Sequence, residues 1–469
     1  MTGHGTPADG VGGLDGSPYQ DYLYGYPHKT AYRPLRPRPA LREVWAGQSR
    51  EALMLYLHLP FCEMRCGFCN LFTRSNPPAD QVRAYLDQVH RQAARVAGAL
   101  GDDTRFARVA VGGGTPTYLD ADELSSMFDL IDRFRPAGTP TAVETSPATA
   151  TADRLAVLRD RGTTRISIGV QSFLDVEARA AGRPQRRTEV ERALAAIRDQ
   201  PFDELNIDLI YGIPGQTRRT WEQSLTAALR WTPEELFLYP LYVRPLTGLS
   251  RRAAARRDRS ADAPAADAPA ADAPVDLPDP AWDHQRQTLY RQGVDRLRAA
   301  GYRQLSMRHF RRSDLPVDAT PEYACQSDGM VGLGCGARSY TADLHYSFDY
   351  AVGVGRVRAI IDDYLRRPES DFDHAEVGYR LDADEQRRRW LITSLLRADG
   401  CDQTAYADRF GSRAVDDFPQ LAVLADRGWL TATADRLALT AAGLARSDAV
   451  GPWLVSTAVR AAMIGRPAK

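Results

Sequence analysis

The sequence predicts an α/β protein whose main domain is a partial, TIM-like (β/α)6 barrel, followed by a smaller, mostly helical domain. Three observations support this class. Short apolar runs rich in β-branched residues alternate with helical segments between residues 51 and 310. Polar or glycine residues stand where several of these runs end, which is where such barrels carry their chemistry. At 469 residues, the chain is also too long for one ordinary domain.

Four segments follow one another along the chain. Residues 1–50 are predicted as a mobile tail and an Arg/Pro-rich arm, because they show no apolar periodicity. The barrel spans 51–310, with an Ala/Asp/Pro-rich insertion at 251–280 that has too few large apolar groups to form a core. Residues 311–378 are expected to complete the active site, and 379–469 to form a winged-helix-like cover domain.

The charge pattern argues against nucleic acid as a partner. Formal net charge is zero, and the final domain has no concentrated basic recognition face. DNA binding by the winged-helix-like domain is the alternative to a covering role. The chain shows no signal peptide and no apolar run long enough to span a bilayer, so we expect a cytoplasmic protein without membrane contact.

Three cysteines fall within eight residues, in the stretch YLHLPFCEMRCGFCNLF. They are Cys62, Cys66 and Cys69. Three thiolates on a cubane iron–sulfur cluster leave one iron open to another ligand, which predicts chemistry at that iron. A structural zinc site is the alternative, but the residues just after Cys69 provide no fourth cysteine or histidine.

Further along, a glycine-rich turn and three polar residues follow apolar runs. The turn is GGGTP at residues 112–116, and its glycines would let backbone N–H groups approach a ligand. Glu144, Gln171 and Asp208 lie in or at the end of the next strands. A buried carboxylate needs a partner, so these residues either bind a ligand or bond to the barrel backbone.

The cysteine motif resembles that of the radical S-adenosylmethionine (SAM) enzymes, whose CxxxCxxC signature it carries in full. Within them it is most similar to the group of oxygen-independent coproporphyrinogen III oxidases, related heme chaperones and class C methyltransferases. The resemblance implies a [4Fe–4S] cluster on the three cysteines, with SAM bound to its open iron, and places Tyr56 beside the cluster as a catalytic residue. The implied SAM-binding residues are Gly113, Gly114, Thr115, Glu144, Gln171, Arg183 and Asp208.

This resemblance also implies the reaction. One electron, from a donor such as flavodoxin or ferredoxin, would cleave SAM to methionine and a 5′-deoxyadenosyl radical, which acts on a small-molecule substrate. Our leading hypothesis is a class C-type methyl transfer from a second SAM to an sp2 carbon, with Tyr239 and Tyr242 as candidate pocket walls. Arg308 and His309 stand where related chains carry Ser-Asn, so His309 is either a proton acceptor or a structural residue.

Two alternatives to methyl transfer stay open. The oxidases carry a further cysteine two residues after the third, and this chain has Leu71 there, which weakens the oxidase interpretation. A heme chaperone, which would bind heme and cleave SAM poorly, is compatible with that leucine. Cys325 and Cys335, beside the turn GLGCGA, are packing thiols, heme contacts or radical-handling groups.

Overall fold

A computed structural model describes residues 13–260, 279–315 and 328–464, and for residues 255–260 the backbone alone. Strands and helices alternate from Leu53 to Ala299, as the sequence predicts. The described strands, numbered in chain order, are β1 (Arg33–Pro34), β2 (Leu53–Leu59), β3 (Phe61–Cys62), β4 (Arg74–Ser75), β5 (Phe106–Gly113), β6 (Thr141–Thr145), β7 (Arg165–Gln171), β8 (Glu204–Tyr211), β9 (Glu235–Pro240), β10 (Tyr302–Gln304), β11 (His309–Arg312), β12 (Met330–Leu333), β13 (Arg338–Tyr340), β14 (Leu344–Ser347), β15 (Val377–Arg380), β16 (Cys401–Asp402), β17 (Leu430–Ala432) and β18 (Arg436–Leu439).

The amphipathic helices in the first part of the chain pack against the barrel strands. Those in the last part form a compact unit of their own. The described α-helices are α1 (Leu41–Ala46), α2 (Ala79–Leu100), α3 (Ala121–Ile131), α4 (Ala152–Asp160), α5 (Asp175–Ala180), α6 (Arg187–Arg198), α7 (Arg218–Leu229), α8 (Gly248–Ser260), α9 (Pro280–Ala299), α10 (Val354–Arg366), α11 (Ala383–Leu395), α12 (Gln403–Phe410), α13 (Ala414–Asp417), α14 (Leu421–Asp426), α15 (Ala441–Leu444), α16 (Ser447–Leu454) and α17 (Thr457–Ile464). Short 3₁₀ turns lie at Lys29–Ala31, Pro116–Tyr118 and Glu369–Asp373.

One sheet joins thirteen of the described strands in the order β1-β15-β14-β13-β12-β2-β5-β6-β7-β8-β9-β11-β10. The strands β2, β5, β6, β7, β8 and β9 are parallel neighbours, and a helix follows each of them along the chain, which confirms the predicted six-fold α/β barrel. β12 adds a further parallel strand beside β2, and antiparallel strands extend both edges. Their common direction brings the carboxyl ends of the six strands to one edge, where barrel enzymes build their sites.

The two faces of the barrel strands differ in solvent exposure, because successive side chains of a strand point to opposite faces. In β2, Leu53, Leu55 and Leu57 are at most 1% exposed, while Met54 and Tyr56 between them are half-buried. Helix α2 buries a stripe of apolar residues that joins the same core. The leucine face therefore fixes the strand register and leaves the alternate residues for the site.

The N-terminal segment differs from the mobile tail that the sequence predicts. From residue 13 onward it is packed, and Tyr26 and Tyr32 are at most 1% exposed. Asp21 forms an ion pair with Arg244 at 2.8 Å, and its backbone N–H donates to the carbonyl of Asp448. The tyrosines and leucines here each contact a different element, so their burial leaves no periodic signal in the sequence.

The C-terminal unit has the helical character that the sequence predicts. Helices α11 to α17 surround a small antiparallel sheet in the order β16-β18-β17. The hairpin of β17 and β18 pairs Leu430 with Leu439 and forms the predicted wing. The core of this unit is separate from that of the barrel, and it includes leucines and tyrosine from the N-terminal segment.

Two predicted features lie outside the described residues: the Ala/Asp/Pro-rich stretch at 261–278 and Cys325. At the edges of the predicted insertion, α8 continues to Ser260 and α9 begins at Pro280. Among the helices in the described ranges, none is both long and apolar enough to cross a membrane.

Candidate functional site

The three motif cysteines lie on one loop at the carboxyl end of β2. We call residues 60–73 the cluster loop; β3 and β4 pair in parallel across its base. Cys62, Cys66 and Cys69 are free and half-buried. Between the last two, Gly67 donates its N–H to the carbonyl of Gly182 at 3.0 Å, and a Cβ on Gly67 would lie 2.7 Å from a backbone oxygen. The loop is therefore held at a position where only glycine fits.

Each of the three sulfur atoms has a polar neighbour. Thr115 Oγ1 donates to Cys62 Sγ at 3.6 Å, and Arg183 Nη1 donates to Cys66 Sγ at 3.7 Å. Cys69 Sγ lies 3.7 Å from the hydroxyl of Thr73. Burial raises the pKa of Cys62 to about 12, so the free thiol stays protonated. Three thiols with hydrogen-bond donors to sulfur and a nearby guanidinium fit an anionic iron–sulfur cluster, whose sulfurs accept such bonds.

The glycine-rich turn after β5 packs directly against the cluster loop. Gly114 donates its N–H to Leu59 at 2.7 Å, and Thr115 donates to Phe61 at 2.8 Å. Gly113 has φ of +114°, and a Cβ there would lie 2.5 Å from the imidazole of His58. Thus the turn brings Thr115 to Cys62 only because glycine occupies the preceding positions.

Replacing Gly113 with alanine is expected to displace this turn, because the new methyl group would overlap His58 and the backbone would be strained. We expect SAM affinity to fall by at least about 10-fold, in line with misplaced binding groups. Gly98→Ala is the matched control, since that glycine lies in α2 with open space around it. Isothermal titration of the cluster-loaded variants with SAM measures both; equal affinity of Gly113→Ala and wild type would contradict the assignment.

Two carboxyl groups, Glu144 on β6 and Asp208 on β8, lie close enough for their charges to interact. Protein atoms surround both groups, although Glu144 is still exposed to solvent and Asp208 is half-buried. Gly113 donates its N–H to Glu144 Oε2 at 3.3 Å, and Asn206 Nδ2 donates to Asp208 Oδ1 at 2.8 Å. Burial, with the charge of Asp208 adding to it, raises the pKa of Glu144 to about 7. Burial likewise raises the pKa of Asp208 to about 6. A cationic ligand group would therefore gain from binding between them.

These raised pKa values predict a pH-dependent stability. The folded protein binds protons more tightly than the unfolded chain, so the free energy of unfolding should fall as pH rises from about 4 to about 7. Glu144→Gln should flatten this slope and make the protein more stable than the wild type above pH 7, by an amount that solvent at the exposed Glu144 side chain keeps small. Asp102→Asn, at an exposed carboxyl, is the control and should keep the wild-type slope. Denaturant titrations of the cluster-free protein from pH 4.5 to 8 measure how the free energy of unfolding changes with pH. An unchanged slope in Glu144→Gln would contradict the prediction.

Gln171 and Arg183 complete the group near the cysteines. Gln171 ends β7 with φ of +68°, beside an irregularity in the pairing with β8. Such a conformation costs of order 1–3 kcal/mol in a residue with a side chain, and it is typical of functional sites. The amide of Gln171 and the guanidinium of Arg183 both approach Gly169, where a Cβ would lie 2.7 Å and 3.5 Å from them. The structure thus brings together the residues that the sequence predicts.

Tyr56 is connected to the cluster loop through His58, a residue for which the sequence predicts no role. Its hydroxyl lies 3.1 Å from His58 Nδ1, and His58 Nε2 lies 3.0 Å from the carbonyl of Phe72. Burial lowers the pKa of His58 to about 4, so the ring is neutral. Nε2 then donates to Phe72 and Nδ1 accepts from Tyr56. Gly336 in the GLGCGA turn also packs on this ring, which explains the need for glycine there.

His309 lies elsewhere, in contrast to the pocket position that the sequence predicts. Its Nε2 is 3.0 Å from Glu235 Oε1, and its ring stacks on Phe237 with centroids 4.3 Å apart. Glu235 begins β9, so this pair lies at the end of the barrel opposite the cysteines. Burial alone would raise the pKa of Glu235, but the hydrogen bond from His309 and the charge of Arg165 hold it well below the usual range. The imidazole therefore lies between Phe237 and the Glu235 carboxylate, away from the cysteines.

Arg308, the other unusual residue, is part of a buried contact between the barrel and the C-terminal unit. Its guanidinium is 4% exposed and forms an ion pair with Asp448 on α16. Tyr242 donates to the same carboxylate, and the guanidinium stacks over Tyr22 at 3.9 Å from the ring centroid. The extra charge expected inside a pocket is thus neutralised by a partner 140 residues away.

Aromatic and basic side chains from the N-terminal segment meet the barrel strands at the site. Tyr22 and Tyr24 are more than one third exposed; Tyr22 contacts Tyr239, and Arg338 stacks over Tyr24 at 4.6 Å. Lys29 lies over Tyr350 at 3.4 Å and is also bonded to Tyr24. Burial, with the charges of Asp208 and Glu144 adding, raises the pKa of Tyr239, so Tyr239 lies near these two carboxyl groups. We call Tyr22, Tyr24, Lys29, Tyr239 and Arg338 the mouth cluster.

Cys335 is a packing thiol in the structure. It is fully buried, and its Sγ donates to the hydroxyl of Tyr85 at 3.8 Å. Burial raises the pKa of this thiol to about 12, which keeps it unreactive.

Comparison with known proteins shows which proteins have a similar sequence and fold. Residues 56–228 match the model of the radical SAM superfamily. The chain is 26% identical over 406 residues to the heme chaperone HemW of Bacillus subtilis, covering 85% of this chain and 98% of that one. It is 27% identical over 450 residues to the oxygen-independent coproporphyrinogen III oxidase of Escherichia coli, covering 90% and 91%. The solved structure of Escherichia coli coproporphyrinogen III oxidase superposes with a TM-score of 0.75 at 24% identity, covering 92% and 96%, and has the same fold.

Residues 56–228 are therefore a radical SAM domain, and the cluster loop lies within it. Its relatives are the oxygen-independent coproporphyrinogen III oxidases and the heme chaperones, the group that the sequence motif indicates. The radical SAM class implies a [4Fe–4S] cluster and SAM, and the three thiols and their neighbours fit that cluster.

Proposed function

We propose that Cys62, Cys66 and Cys69 hold the cluster and that the residues at the carboxyl ends of β5 to β8 bind SAM beside it. The cluster, when bound, supplies the electron that breaks a carbon–sulfur bond of SAM. The protein positions the ligand. Arg183 suits the SAM carboxylate, because a planar guanidinium gives two parallel hydrogen bonds. Glu144 and Asp208 suit its cationic and hydroxyl groups, while Gly113, Gly114, Thr115 and Gln171 bring polar atoms close to it.

The substrate class follows from the mouth cluster, and this observation carries the proposal. Tyr22, Tyr24 and Tyr239 supply flat apolar faces, and Lys29 and Arg338 supply positive charge beside them. A tetrapyrrole with carboxylate side chains combines a large flat ring with negative charge at its edge, and it matches this surface. Both groups of relatives bear names that refer to tetrapyrroles with carboxylate side chains, heme and coproporphyrinogen, and of the two heme has the flat ring.

Of these two activities, heme binding in the manner of a chaperone is the one we favour. Leu71, which is 49% exposed on the cluster loop, stands where the sequence comparison expects the additional cysteine of the oxidases. The predicted class C methyl transfer is the second candidate. It needs a second SAM in the space beside Tyr239 and Tyr242, and Tyr242 is already engaged with Asp448.

The test separates the three activities in one preparation. The protein is reconstituted anaerobically with iron and sulfide, reduced with dithionite, and titrated with heme while its Soret absorption is recorded. We expect a saturable Soret shift and slow formation of 5′-deoxyadenosine from SAM. Formation of S-adenosylhomocysteine would support methyl transfer, and decarboxylation of coproporphyrinogen III would support the oxidase. If the protein binds no heme and forms neither product, the tetrapyrrole proposal is wrong.

A pair of variants connects heme binding to the mouth cluster. Arg338→Gln removes a charge of the mouth cluster, and we expect at least about 10-fold weaker heme binding, as for the loss of a charge-assisted bond. Arg192→Gln changes an exposed arginine on α6 and should leave heme affinity unchanged. If both variants lose heme affinity equally, or if neither loses any, heme does not bind at the mouth cluster.

A further inference from the structure

A line of polar side chains runs through the barrel interior, from the start of β7 to the site. Arg165 Nη1 donates to Ser167 Oγ at 2.7 Å, two residues further along β7. Asn206 Nδ2, on the neighbouring strand β8, donates to the same hydroxyl at 3.0 Å and to Asp208 Oδ1 at 2.8 Å. We call Arg165, Ser167 and Asn206 the interior column. It connects the amino end of the barrel strands to a carboxyl group of the site.

Strand geometry places the side chains of the column on one face of the sheet. Successive side chains of a strand alternate between its faces, so Arg165 and Ser167 share a face, as do Asn206 and Asp208. Ser167 is also the register partner of Asn206. The opposite face carries fully buried core residues, namely Ile166, Ile168, Leu205, Ile207 and Leu209. Because the helices pack against that apolar face, the column lines the inside of the barrel.

Ion pairs anchor the lower end of the column. Arg165 Nη2 lies 2.7 Å from Glu235 Oε2, at the start of β9, and its Nε donates to the same oxygen at 2.8 Å. Arg311 Nη1 donates to the other oxygen of that carboxylate at 3.0 Å. The Arg165 guanidinium is therefore fixed on one side by Glu235, and its Nη1 donates to Ser167 on the other.

The amide of Asn206 is turned toward Asp208 at the expense of its own oxygen. Asn206 is 2% exposed, and among the described residues no donor reaches its Oδ1. A buried acceptor without a partner costs free energy. The opposite orientation would place the amide oxygen against an ionised Asp208, two acceptors without a proton between them. The observed orientation therefore favours the ionised carboxylate and fixes its Oδ1.

This contact occupies one oxygen of Asp208 and leaves the other for a ligand. Asp208 is half-buried, and within the described ranges no hydrogen bond reaches its Oδ2. Burial raises the pKa of Asp208 to about 6, while the hydrogen bond from Asn206 and the charge of Arg165 act in the opposite direction. The other titratable or charged groups that face Asp208 are Arg183, Glu144, Glu235, Tyr22 and Tyr239. Without the column, Asp208 would be neutral over a wider range of pH.

We propose that the interior column is a positioning device for SAM, in which Asn206 fixes the Asp208 carboxylate and Arg165 holds Asn206 through Ser167. The inference rests on the proposed function, in which Asp208 contacts a cationic or hydroxyl group of SAM. A fixed acceptor binds such a group better than a mobile one, because less conformational freedom is lost on binding. Stability alone does not account for the column, since buried ion pairs are commonly no more stabilising than apolar side chains of the same volume.

Asn206→Leu tests the column, because leucine has a similar volume and no donor. Infrared titration of the cluster-loaded protein without SAM follows the Asp208 carboxyl group, whose band is assigned by its absence in Asp208→Asn. We expect the midpoint of this titration to rise by about 1 pH unit, as for the loss of a hydrogen bond to a charged group. Calorimetry at about pH 6 should then show about 5-fold weaker SAM binding, because a smaller fraction of Asp208 is ionised. The difference should shrink at about pH 8.5, where the group is ionised in both proteins.

Three comparisons separate positioning from a general effect on packing. Ile207→Val removes a methyl group from the apolar face of the same strand, and it should change neither the titration nor SAM affinity. Ser167→Ala should raise the midpoint by less than Asn206→Leu does, whereas Ser167→Thr keeps the hydroxyl and should behave as wild type. In the Asp208→Asn background, Asn206→Leu should cause no further loss of SAM affinity.

An unchanged Asp208 titration in Asn206→Leu, or a shifted titration with unchanged SAM affinity, would overturn the positioning proposal. If Asp208→Asn binds SAM as tightly as the wild type, the proposed contact of Asp208 with SAM is wrong instead. The infrared titration needs no SAM, so it still decides whether Asn206 fixes the carboxylate.

Discussion

Replacing any one of Cys62, Cys66 and Cys69 with alanine is expected to abolish the cluster and with it all SAM cleavage. Each removes one of three thiolates, and the cluster loop within the described structure offers no substitute for it. We expect iron content and visible absorption to fall to those of the unreconstituted protein, and 5′-deoxyadenosine formation to fall by more than about 100-fold, beyond what loss of a supporting residue causes.

Cys401→Ala is the matched control. That thiol is buried in the C-terminal unit, so its removal affects packing there and should leave iron content unchanged. Iron and sulfide analysis with absorption spectra of the reconstituted proteins measures the effect. Retention of the cluster in Cys66→Ala would mean that the ligand set is different.

Replacing Arg308 with methionine is expected to destabilise the protein by about 3–5 kcal/mol, because Asp448 would stay buried without its positive partner. The carboxylate is 2% exposed, and the ion pair joins the residue just before β11 to the C-terminal unit. The double variant Arg308→Met/Asp448→Leu should recover most of this loss, since it removes both charges and keeps apolar volume.

Arg312→Met provides the comparison at the end of the same strand. Arg312 pairs with the exposed Asp314 and with Glu234, which keeps Arg198 as a second partner, so we expect a change within about 1 kcal/mol. Denaturant-induced unfolding of the wild type, Arg308→Met, Asp448→Leu and their double variant gives the coupling energy of the pair, with Arg312→Met measured beside them. A single variant Arg308→Met as stable as Arg312→Met would show that Arg308 is not needed for this contact.

The sequence predicts the parts of the site that depend on local order along the chain. The three cysteines, the GGGTP turn and Glu144, Gln171 and Asp208 each lie in or beside a strand, and parallel strands bring such positions to one edge. Chain order alone is enough to place them.

Other parts depend on partners far away in the sequence, and no pattern reveals them. The sequence predicts Arg308 as an added charge in the pocket, but its partner, Asp448, is 140 residues further on. His309 points to Glu235 because the register of β11 against β9 sets its neighbours. The mouth cluster depends on the N-terminal segment, whose tyrosines follow no period. The positive φ of Gln171 follows from the irregular pairing of β7 with β8.

The core of the C-terminal unit has a consequence for how this chain folds. It combines Leu14, Leu23 and Tyr26 with residues from Leu391 to Val459, so its two halves are separated by the whole barrel. During synthesis the first half emerges long before the second, so its apolar side chains stay without their packing partners until the second half has been made. The entropic cost of closing so long a loop grows only slowly with its length, but the contact forms late. The barrel is therefore expected to fold first, and the shared core of the two chain ends to form last.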